Sequence, residues 1–362
     1  MTSKIESLFT TDPFHFSDEN KTLFLDSVKE CANIHIDGCN YFKFLWDKFN
    51  FTPQMIQTES DLEKMPYIMV NLFKTHELRS GPKEDVTLTL GSSGTSGQRS
   101  LIYLDENSLR RVKKLAYNIH ASLGMTSDQK YNYLCFTYDP NIADDLGTAF
   151  TDELLTSFTD KAEVFYTFQH NGEDFFFDEE KTVATLKRFE NSDYPTRILG
   201  FPAFLYQILN KYDLNLKLGD DSWVQTGGGW KGQADKEIPK QEFREFVASR
   251  LGLPIENIRD LFGMVEHGIP YVDAPDGRLR IPNYARVIIR DPMTLKPVAD
   301  GEYGLVQFIC SYITSYPSMS LLTTDWGRKI KSDDFGDILE IRGRAGVSKN
   351  KGCALKAAEM LK

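Results

Sequence analysis

The pattern of apolar and polar residues along the chain predicts a series of helices and strands. Apolar residues recur at helical spacing over residues 18–34, which indicates an amphipathic helix. Residues 86–90 (Val-Thr-Leu-Thr-Leu) alternate as strand residues do, and residues 101–104 predict a second strand after a polar loop. Residues 35–80 are rich in aromatic side chains but show no clear period, so no element is assigned there.

The second predicted strand leads into a helix that begins near Asp105, whose carboxylate suits an N-cap. One face of this helix is apolar and carries Leu109, Val112, Leu115, Ile119 and Leu123. Further strand-like runs follow at Arg197–Gly200, Trp223–Thr226, Arg286–Arg290, Leu305–Cys310 and Ile338–Ile341. Helical patterns separate the earlier runs and turns separate the later ones. This order favours an α/β body followed by a more β-rich lobe.

The composition narrows the class of protein. The chain has 362 residues, of which 41% are hydrophobic and 26% charged, as expected for two globular domains or one large multi-lobed domain. No run approaches the roughly 20 apolar residues that cross a bilayer, and the N-terminus does not resemble a secretory signal. The five cysteines show no Cys-x-x-Cys spacing, which argues against a zinc site or a disulfide framework. We therefore expect a soluble cytoplasmic protein.

The net charge of −10 argues against nucleic acid as a partner, because nucleic acid rewards clustered Lys and Arg. A phosphorylated ligand would have to be bound by local geometry instead. The sequence offers such geometry in several glycine-rich segments.

The loop between the first two predicted strands, Gly91–Ser100, has the composition of a phosphate-binding loop. Its glycines allow successive backbone N–H groups to converge on phosphate oxygens. Hydroxyl donors and one fixed charge are added by Ser92, Ser93, Thr95, Ser96 and Arg99. A Walker A loop does not fit, because Gly-Lys-[Ser/Thr] is missing and the loop leads into a strand. A flexible surface hairpin is the alternative.

Four later segments carry side chains or backbone suited to a nucleotide. Residues 226–231 (Thr-Gly-Gly-Gly-Trp-Lys) follow a predicted strand and could lie flat against a planar ring. Glu266 follows a glycine turn and could hold Mg²⁺, while Asp325 could accept hydrogen bonds from two ribose hydroxyls. Arg344 could contact phosphate. Each has an ordinary alternative: Glu266 as a surface acid, Asp325 as a turn residue and Arg344 as an ion-pair partner.

Taken in order, these segments resemble the adenylate-forming superfamily of acyl-CoA synthetases and adenylation domains. The shared pattern is Ser-Ser-Gly-Thr-x-Gly, a glycine-rich turn, aromatic-Gly-x-x-Glu, Thr-Asp-x-Gly and Gly-Arg. The chain resembles more closely the acyl-protein synthetase family of bacterial bioluminescence, over nearly its whole length. The strongest marks of this family are residues 226–231, 291–298 (Asp-Pro-Met-Thr-Leu-Lys-Pro-Val), 314–317 (Thr-Ser-Tyr-Pro) and 351–355 (Lys-Gly-Cys-Ala-Leu).

The resemblance implies a large adenylate-forming domain over residues 1–345. This domain would contain two helix-flanked β-sheets and a smaller β-rich lobe. The full C-terminal domain of the superfamily would be absent and replaced by a short tail, residues 346–362, that includes a helical segment. The lysine that this domain usually supplies for adenylation would then be missing, with Lys349 and Lys351 as weak substitutes.

The resemblance also implies roles for individual residues, with ATP and Mg²⁺ as cofactors. The ATP phosphates would be bound by Ser92, Ser93, Gly94, Thr95, Ser96 and Gly97, with Arg99 where the family usually has lysine. The adenine would contact Gly227, Gly228 and Gly229, the ribose would be bound by Asp325, and Mg²⁺ would be bound by Glu266. Arg344 would lie at the hinge or the ribose edge, and the Cys353 thiol would accept the acyl group. His267 is either a buried, hydrogen-bonded histidine or a substrate contact.

The implied reaction is ATP-dependent activation of a long-chain fatty acid as its acyl-adenylate, followed by acyl transfer to a protein cysteine. The partner would be an acyl-accepting protein such as an acyl reductase, in a possible hetero-complex. Two alternatives stay open. One is a ligase that passes the acyl group to coenzyme A or to a carrier-protein thiol, and the other is a non-catalytic subunit of an acyl-transfer complex.

Overall fold

A computed structural model describes residues 3–92, 99–140, 142, 147–172, 174–230, 236–332 and 335–345. Its α-helices are α1 (Lys4–Leu8), α2 (Asp18–Gly38), α3 (Asn40–Lys48), α4 (Glu106–Ser122), α5 (Gly147–Thr156), α6 (Glu179–Glu190), α7 (Pro202–Lys211) and α8 (Lys240–Leu251). Short 3₁₀ segments are Pro53–Met55, Glu59–Lys64, Val70–Lys74, Lys83–Asp85 and Ile255–Asn257. The strands are β1 (Ile68–Met69), β2 (Val86–Gly91), β3 (Leu101–Asp105), β4 (Lys130–Tyr138), β5 (Asp160–His170), β6 (Phe175–Phe177), β7 (Thr196–Gly200), β8 (Trp223–Gly227), β9 (Ile258–Phe262), β10 (Tyr271–Val272), β11 (Ala285–Arg290), β12 (Gly304–Cys310), β13 (Ser320–Ile330) and β14 (Ile338–Arg344).

A seven-stranded sheet, in the order β10-β9-β8-β7-β4-β5-β6, forms the middle of the molecule. Its inner neighbours β5, β4, β7, β8 and β9 are parallel, and the short edge strands β6 and β10 are antiparallel. Helices α6, α7 and α8 lie between successive strands along the chain, as parallel crossovers require. The carboxyl ends of the parallel strands therefore meet along one edge, where open α/β sheets bind ligands.

A second sheet collects the later strands, in the order β1-β13-β12-β11, with β14 also paired to β13. The long strand β13 pairs in parallel with β1 near its start and antiparallel with β14 over its second half. Turns rather than helices connect β11 to β14. This part of the chain is the β-rich region that the sequence pattern predicted.

The hairpin β2–β3 is a separate two-stranded sheet that leads directly into α4. The Asp105 carboxylate accepts a hydrogen bond from the backbone N–H of Ser108 at 2.6 Å, which confirms the predicted N-cap. The apolar face of α4 is buried at Val112, Leu115, Ile119 and Leu123.

Most elements predicted from the pattern are present, but several strands were missed. The helix predicted over residues 18–34 is confirmed as α2, which continues to Gly38. The unassigned residues 35–80 contain the end of α2, α3, β1 and several 3₁₀ segments. The strands β4, β5, β9 and β13 had not been predicted. Since β4 is buried on both faces from Tyr131 to Tyr138, it lacks the alternation that marks a half-exposed strand.

Within the described ranges, no helix is both long enough and apolar enough to span a membrane. Residues 346–362 lie outside these ranges, so the domain boundary at residue 345 and the helical tail stay predictions.

A buried histidine makes the stability of the fold sensitive to acid. His120 of α4 donates through Nδ1 to the Ala116 carbonyl at 2.7 Å, and its Nε2 lies 3.0 Å from the Gln225 amide nitrogen, from which it accepts. Burial lowers the pKa of His120 from 6.5 to about 4. The unfolded chain therefore binds this proton more readily, and stability is lost as the pH falls from about 6.5 towards 4.

We expect His120→Gln to reduce the loss of unfolding free energy between pH 7 and pH 5 by about 2 kcal/mol. Urea titrations of both proteins at each pH measure the difference. The comparison with wild type is necessary because burial raises the pKa of Asp152 to about 7 and of Asp273 to about 6, and these carboxyls act in the opposite direction. An identical pH dependence in the two proteins would contradict the prediction.

Candidate functional site

The base of the predicted phosphate loop is closed by two serines. The Ser92 N–H donates to the Ser100 carbonyl at 2.9 Å, and the Ser100 N–H donates to the Ser92 hydroxyl, also at 2.9 Å. These bonds continue the ladder of the β2–β3 hairpin beyond the Gly91–Leu101 pair. Arg99 is exposed at this base. The loop residues Ser93, Gly94, Thr95, Ser96 and Gly97 lie outside the described residues, so their predicted contacts stay predictions.

The glycine turn begins where β8 ends, at the ligand-binding edge of the seven-stranded sheet. Gly228 and Gly229 have φ angles of +79° and +69°, which side-chain-bearing residues rarely adopt. A Cβ on Gly228 would also approach the Phe201 ring to 3.0 Å. Trp230 anchors the end of the turn, because its buried ring packs edge-on against Phe243. The turn thus presents exposed backbone without side chains.

Glu266 lies in the turn between β9 and β10, and only 6% of it is exposed. Its backbone carbonyl accepts a hydrogen bond from the Tyr316 hydroxyl at 3.2 Å. The Tyr312 hydroxyl holds the next carbonyl, that of His267. Burial raises the pKa of Glu266, the Ser100 hydroxyl and Arg344 lower it, and Asp325 raises it further. Glu266 is therefore a buried acid, not the surface acid that was its alternative interpretation.

Asp325 and Arg344 face each other across β13 and β14 as a cross-strand pair. The Arg344 Nε lies 3.5 Å from the Asp325 Oδ1, with side-chain exposures of 49% and 11%. Asp325 donates its own backbone N–H to the Thr323 hydroxyl at 3.1 Å. The Ala345 N–H then bonds to the Thr324 carbonyl at 2.7 Å, so pairing continues to the last described residue. Arg344 is thus an ion-pair partner, as its alternative interpretation held, and its partner is another predicted site residue.

The structure brings together three of the predicted residues that it describes, Glu266, Asp325 and Arg344. Glu266 interacts electrostatically with both Asp325 and Arg344, and it also lies beside Ser100 at the base of the loop. The glycine turn follows β8, which is the neighbour of β9 in the sheet. Gly227 pairs with Leu261 of β9, and β9 leads to Glu266. The second sheet, the seven-stranded sheet and the hairpin therefore each contribute to one location. Their individual chemical roles stay predictions.

His267 is a structural histidine. It is fully buried, its Nε2 lies 2.9 Å from the Tyr271 hydroxyl, and its ring stacks on Phe308 at 4.8 Å. Burial lowers its pKa to about 3, so the ring is neutral. The sequence did not reveal that Tyr312 and Tyr316 would position the Glu266 turn. The only sequence feature near them was the family-specific segment 314–317.

The arrangement around Glu266 fits a cation only if a nucleotide accompanies it. Within the described ranges, no group of three His, Cys, Asp or Glu side chains is arranged to hold a metal ion. Mg²⁺ bound with a nucleotide needs only one or two carboxylates, because phosphate oxygens and water supply the other ligands. The buried Glu266 carboxyl and the buried Ser100 hydroxyl, which has no hydrogen-bond partner among the described residues, suit that kind of site.

Four of the five cysteines are unsuitable as acyl acceptors. Cys31, Cys39, Cys135 and Cys310 are all buried. Burial raises the pKa of Cys31 and Cys135 well above the usual value for a thiol and that of Cys310 to about 12. Thiolate is the reactive form, so Cys31, Cys135 and Cys310 are unreactive at neutral pH. Cys353, the predicted acceptor, lies outside the described residues.

Comparison with known proteins gives the family. The family model described as "Acyl-protein synthetase, LuxE" matches residues 1–362. The chain belongs to the acyl-protein synthetase family. The enzyme class expected from the sequence, an AMP-forming acyl-protein synthetase, is thereby confirmed.

Two relatives in this family are long-chain-fatty-acid–luciferin-component ligases. The protein of Aliivibrio fischeri is 27% identical over 369 aligned positions, which cover 99% of this chain and 94% of the relative. The protein of Vibrio harveyi is 26% identical over 305 positions, which cover 83% of this chain and 79% of the relative. The similarity therefore extends over most of both proteins.

Among solved structures, 2-hydroxyisobutyryl-CoA ligase in an open conformation has a similar fold. The TM-score is 0.68 at 13% identity, with 91% of this chain and 75% of that chain covered. The same ligase in the thioesterification state gives a TM-score of 0.67 at 14% identity, with 92% and 70% covered. At this identity the likeness concerns the fold, and it confirms a mixed α/β architecture similar to that of this ligase.

Tyr316→Phe tests how the Glu266 turn is held. Removal of the hydroxyl leaves the carbonyls of Val265 and Glu266 without this buried donor, and we expect the free energy of unfolding to fall by about 1–2 kcal/mol. Denaturant titration at neutral pH measures the change. Tyr194→Phe, which removes the hydroxyl of an exposed tyrosine, is the matched control and should change stability by less than about 0.5 kcal/mol. Equal stability of the Tyr316→Phe variant and wild type would show that these bonds contribute nothing.

Proposed function

We propose that this acyl-protein synthetase uses ATP and Mg²⁺ to convert a fatty acid into its acyl-adenylate and then carries the acyl group on Cys353 to a partner protein. The observation that carries the proposal is the convergence of Glu266, Asp325 and Arg344 beside the base of the glycine-serine loop. The two ligase relatives, named for long-chain fatty acids and a luciferin component, support the substrate class and the protein acceptor.

In the proposed fold assignment, residues 1–345 are the large adenylate-forming domain, with the seven-stranded sheet and the second sheet as its main layers. Residues 346–362 are the tail that carries the acceptor thiol.

In the first half-reaction a carboxylate oxygen of the fatty acid attacks the α-phosphorus of ATP, and the bond to pyrophosphate breaks. Asp325 accepts hydrogen bonds from the ribose hydroxyls in this proposal, and the adenine lies along the backbone of Gly227–Gly229. Glu266 would hold Mg²⁺, which supplies neutralising charge to the phosphates. The residues of the loop and Arg344 fix the phosphates in line for attack, so positioning and charge stabilisation provide most of the acceleration.

In the second half-reaction the Cys353 thiolate attacks the acyl carbonyl carbon, and AMP leaves with the electrons of the broken C–O bond. Lys351 and Lys356 flank this cysteine in the sequence, and neighbouring ammonium groups favour the thiolate. The described chain ends at Ala345, beside Asp325. Cys353 follows Ala345 by eight positions, and a chain of this length spans at most about 28 Å, which is enough to return the thiol to the site.

The Cys353→Ser variant tests the acceptor. With ATP, Mg²⁺ and a fatty acid, we expect it to form acyl-AMP at the wild-type rate but to accumulate no hydroxylamine-sensitive acyl-protein, because it lacks the thiol. Intact-protein mass spectrometry and adenylate quantification measure both. Cys39→Ser, at a buried cysteine, is the control and should label as wild type does. Full labelling of the Cys353→Ser variant would assign the thiol to another residue. Acyl transfer to added coenzyme A or carrier protein without any acyl-protein would favour the alternative acceptors.

The Asp325→Ala variant tests the nucleotide site. If Asp325 accepts the ribose hydroxyls, its loss should weaken binding of a non-hydrolysable ATP analogue by about 1.5–3 kcal/mol, or roughly 10- to 150-fold in Kd. Isothermal titration calorimetry provides the measurement. Asp300→Ala is the matched control, since Asp300 pairs with Lys329 and is more exposed. Equal affinities of wild type and the Asp325→Ala variant would remove Asp325 from the site.

A further inference from the structure

Ser100 occupies an unusual position at the base of the glycine-serine loop. Its backbone is fully bonded, since its N–H and its carbonyl are both engaged by Ser92. No part of the residue is exposed. Its hydroxyl has no hydrogen-bond partner among the described residues. Buried hydroxyls are usually paired, because an unpaired one loses its bonds to water without replacement. The unpaired Ser100 hydroxyl therefore suggests that a bound ligand is its partner.

The neighbour of this hydroxyl is the carboxyl of Glu266. The hydroxyl lies close enough to lower the pKa of this carboxyl, although it has no hydrogen-bond partner among the described residues. A carboxyl and a hydroxyl group thus lie near each other in a buried place. A cation that accepts electron pairs from oxygen can bind both groups.

The local charge favours a cation. Glu266 and Asp325 bring two acids together, and Arg344 is the basic group that acts on both. The Arg344 side chain is half exposed and lies 3.5 Å from Asp325, so it compensates the buried Glu266 only in part. Hard divalent cations bind carboxylate and hydroxyl oxygens together, as in phosphate sites where a serine or threonine hydroxyl completes the coordination of Mg²⁺.

We propose that the Ser100 hydroxyl is a direct ligand of the divalent cation that Glu266 holds together with the nucleotide. The inference rests on the proposed function, because phosphate oxygens must supply the other ligands. It gives Ser100 a role distinct from that of residues 92–97. Those residues would contact phosphate, whereas Ser100 contacts the metal and couples the loop base to the Glu266 turn.

Replacement of the hydroxyl by a thiol gives a direct spectroscopic test. Ser100→Cys is prepared in a Cys353→Ser background, and Cd²⁺ is added with α,β-methylene-ATP, an analogue whose α–β linkage cannot be cleaved. We expect an ultraviolet thiolate-to-Cd²⁺ charge-transfer band that requires both the nucleotide and Cd²⁺ and that disappears when Glu266→Gln is added. Ser222→Cys in the same background is the matched control. Ser222 is as buried as Ser100, but it precedes β8, whereas the glycine turn of the candidate site follows that strand. It should give no band.

A second variant keeps the test independent of the thiol. Ser100→Ala should raise the Mg²⁺ concentration for half-maximal ATP–pyrophosphate exchange at least about tenfold. Circular dichroism verifies that each variant is folded. Absence of the band in the folded Ser100→Cys variant, or an unchanged Mg²⁺ requirement in the Ser100→Ala variant, would overturn the inference.

These experiments distinguish failure of the proposed reaction from failure of the Ser100 cation ligand. If wild type forms acyl-AMP but Ser100 variants behave as wild type, the proposed function stands and Ser100 is only structural. If wild type forms no acyl-AMP while the Ser100→Cys variant still gives the nucleotide-dependent band, the cation ligand stands and the proposed reaction is wrong.

Discussion

The burial of the Glu266 carboxyl constrains the arrangement of the whole candidate site. The turn that bears this carboxyl packs against β12 of the second sheet. Phe262 and His267, on either side of Glu266 in the sequence, both stack on Phe308 of β12. Tyr312 and Tyr316 fix the carbonyls of this turn from the other side. A buried carboxyl costs free energy unless positive charge or donors meet it. Arg344, whose positive charge lowers the pKa of Glu266, meets part of that requirement.

The two sheets contribute different kinds of group to this location. Parallel strands end in turns whose backbone is accessible, and the glycines after β8 keep that surface free of side chains. The antiparallel second sheet instead fixes side chains by cross-strand pairing, which is how Asp325 and Arg344 come to face each other. The seven-stranded sheet thus supplies accessible backbone and, in the turn after β9, Glu266, whereas the second sheet supplies the Asp325–Arg344 pair. The hairpin β2–β3 adds the base of the loop.

Local sequence patterns predicted the parts of the fold whose causes are local. Asp105 caps α4 because its side chain accepts a hydrogen bond from the N–H of Ser108, three residues later. The alternating residues of β2 likewise predict a strand. The strand β4 was missed because burial on both faces removes alternation. For the site, residue types suggested Glu266, Asp325 and Arg344. Only the register of β13 against β14 shows that the last two form a pair.

Asp325, the candidate ribose-binding residue, lies in the same sheet as the end of β14. Arg344 of β14 pairs with Asp325, and the next residue, Ala345, is hydrogen-bonded to Thr324. Thermodynamic linkage follows from this shared strand. Any ligand that competes with Arg344 for Asp325 changes the free energy that holds the end of β14 in place, and a change at the end of β14 alters ligand affinity by the same amount. The occupancy of the site and the anchoring of the end of β14 are therefore reciprocal quantities.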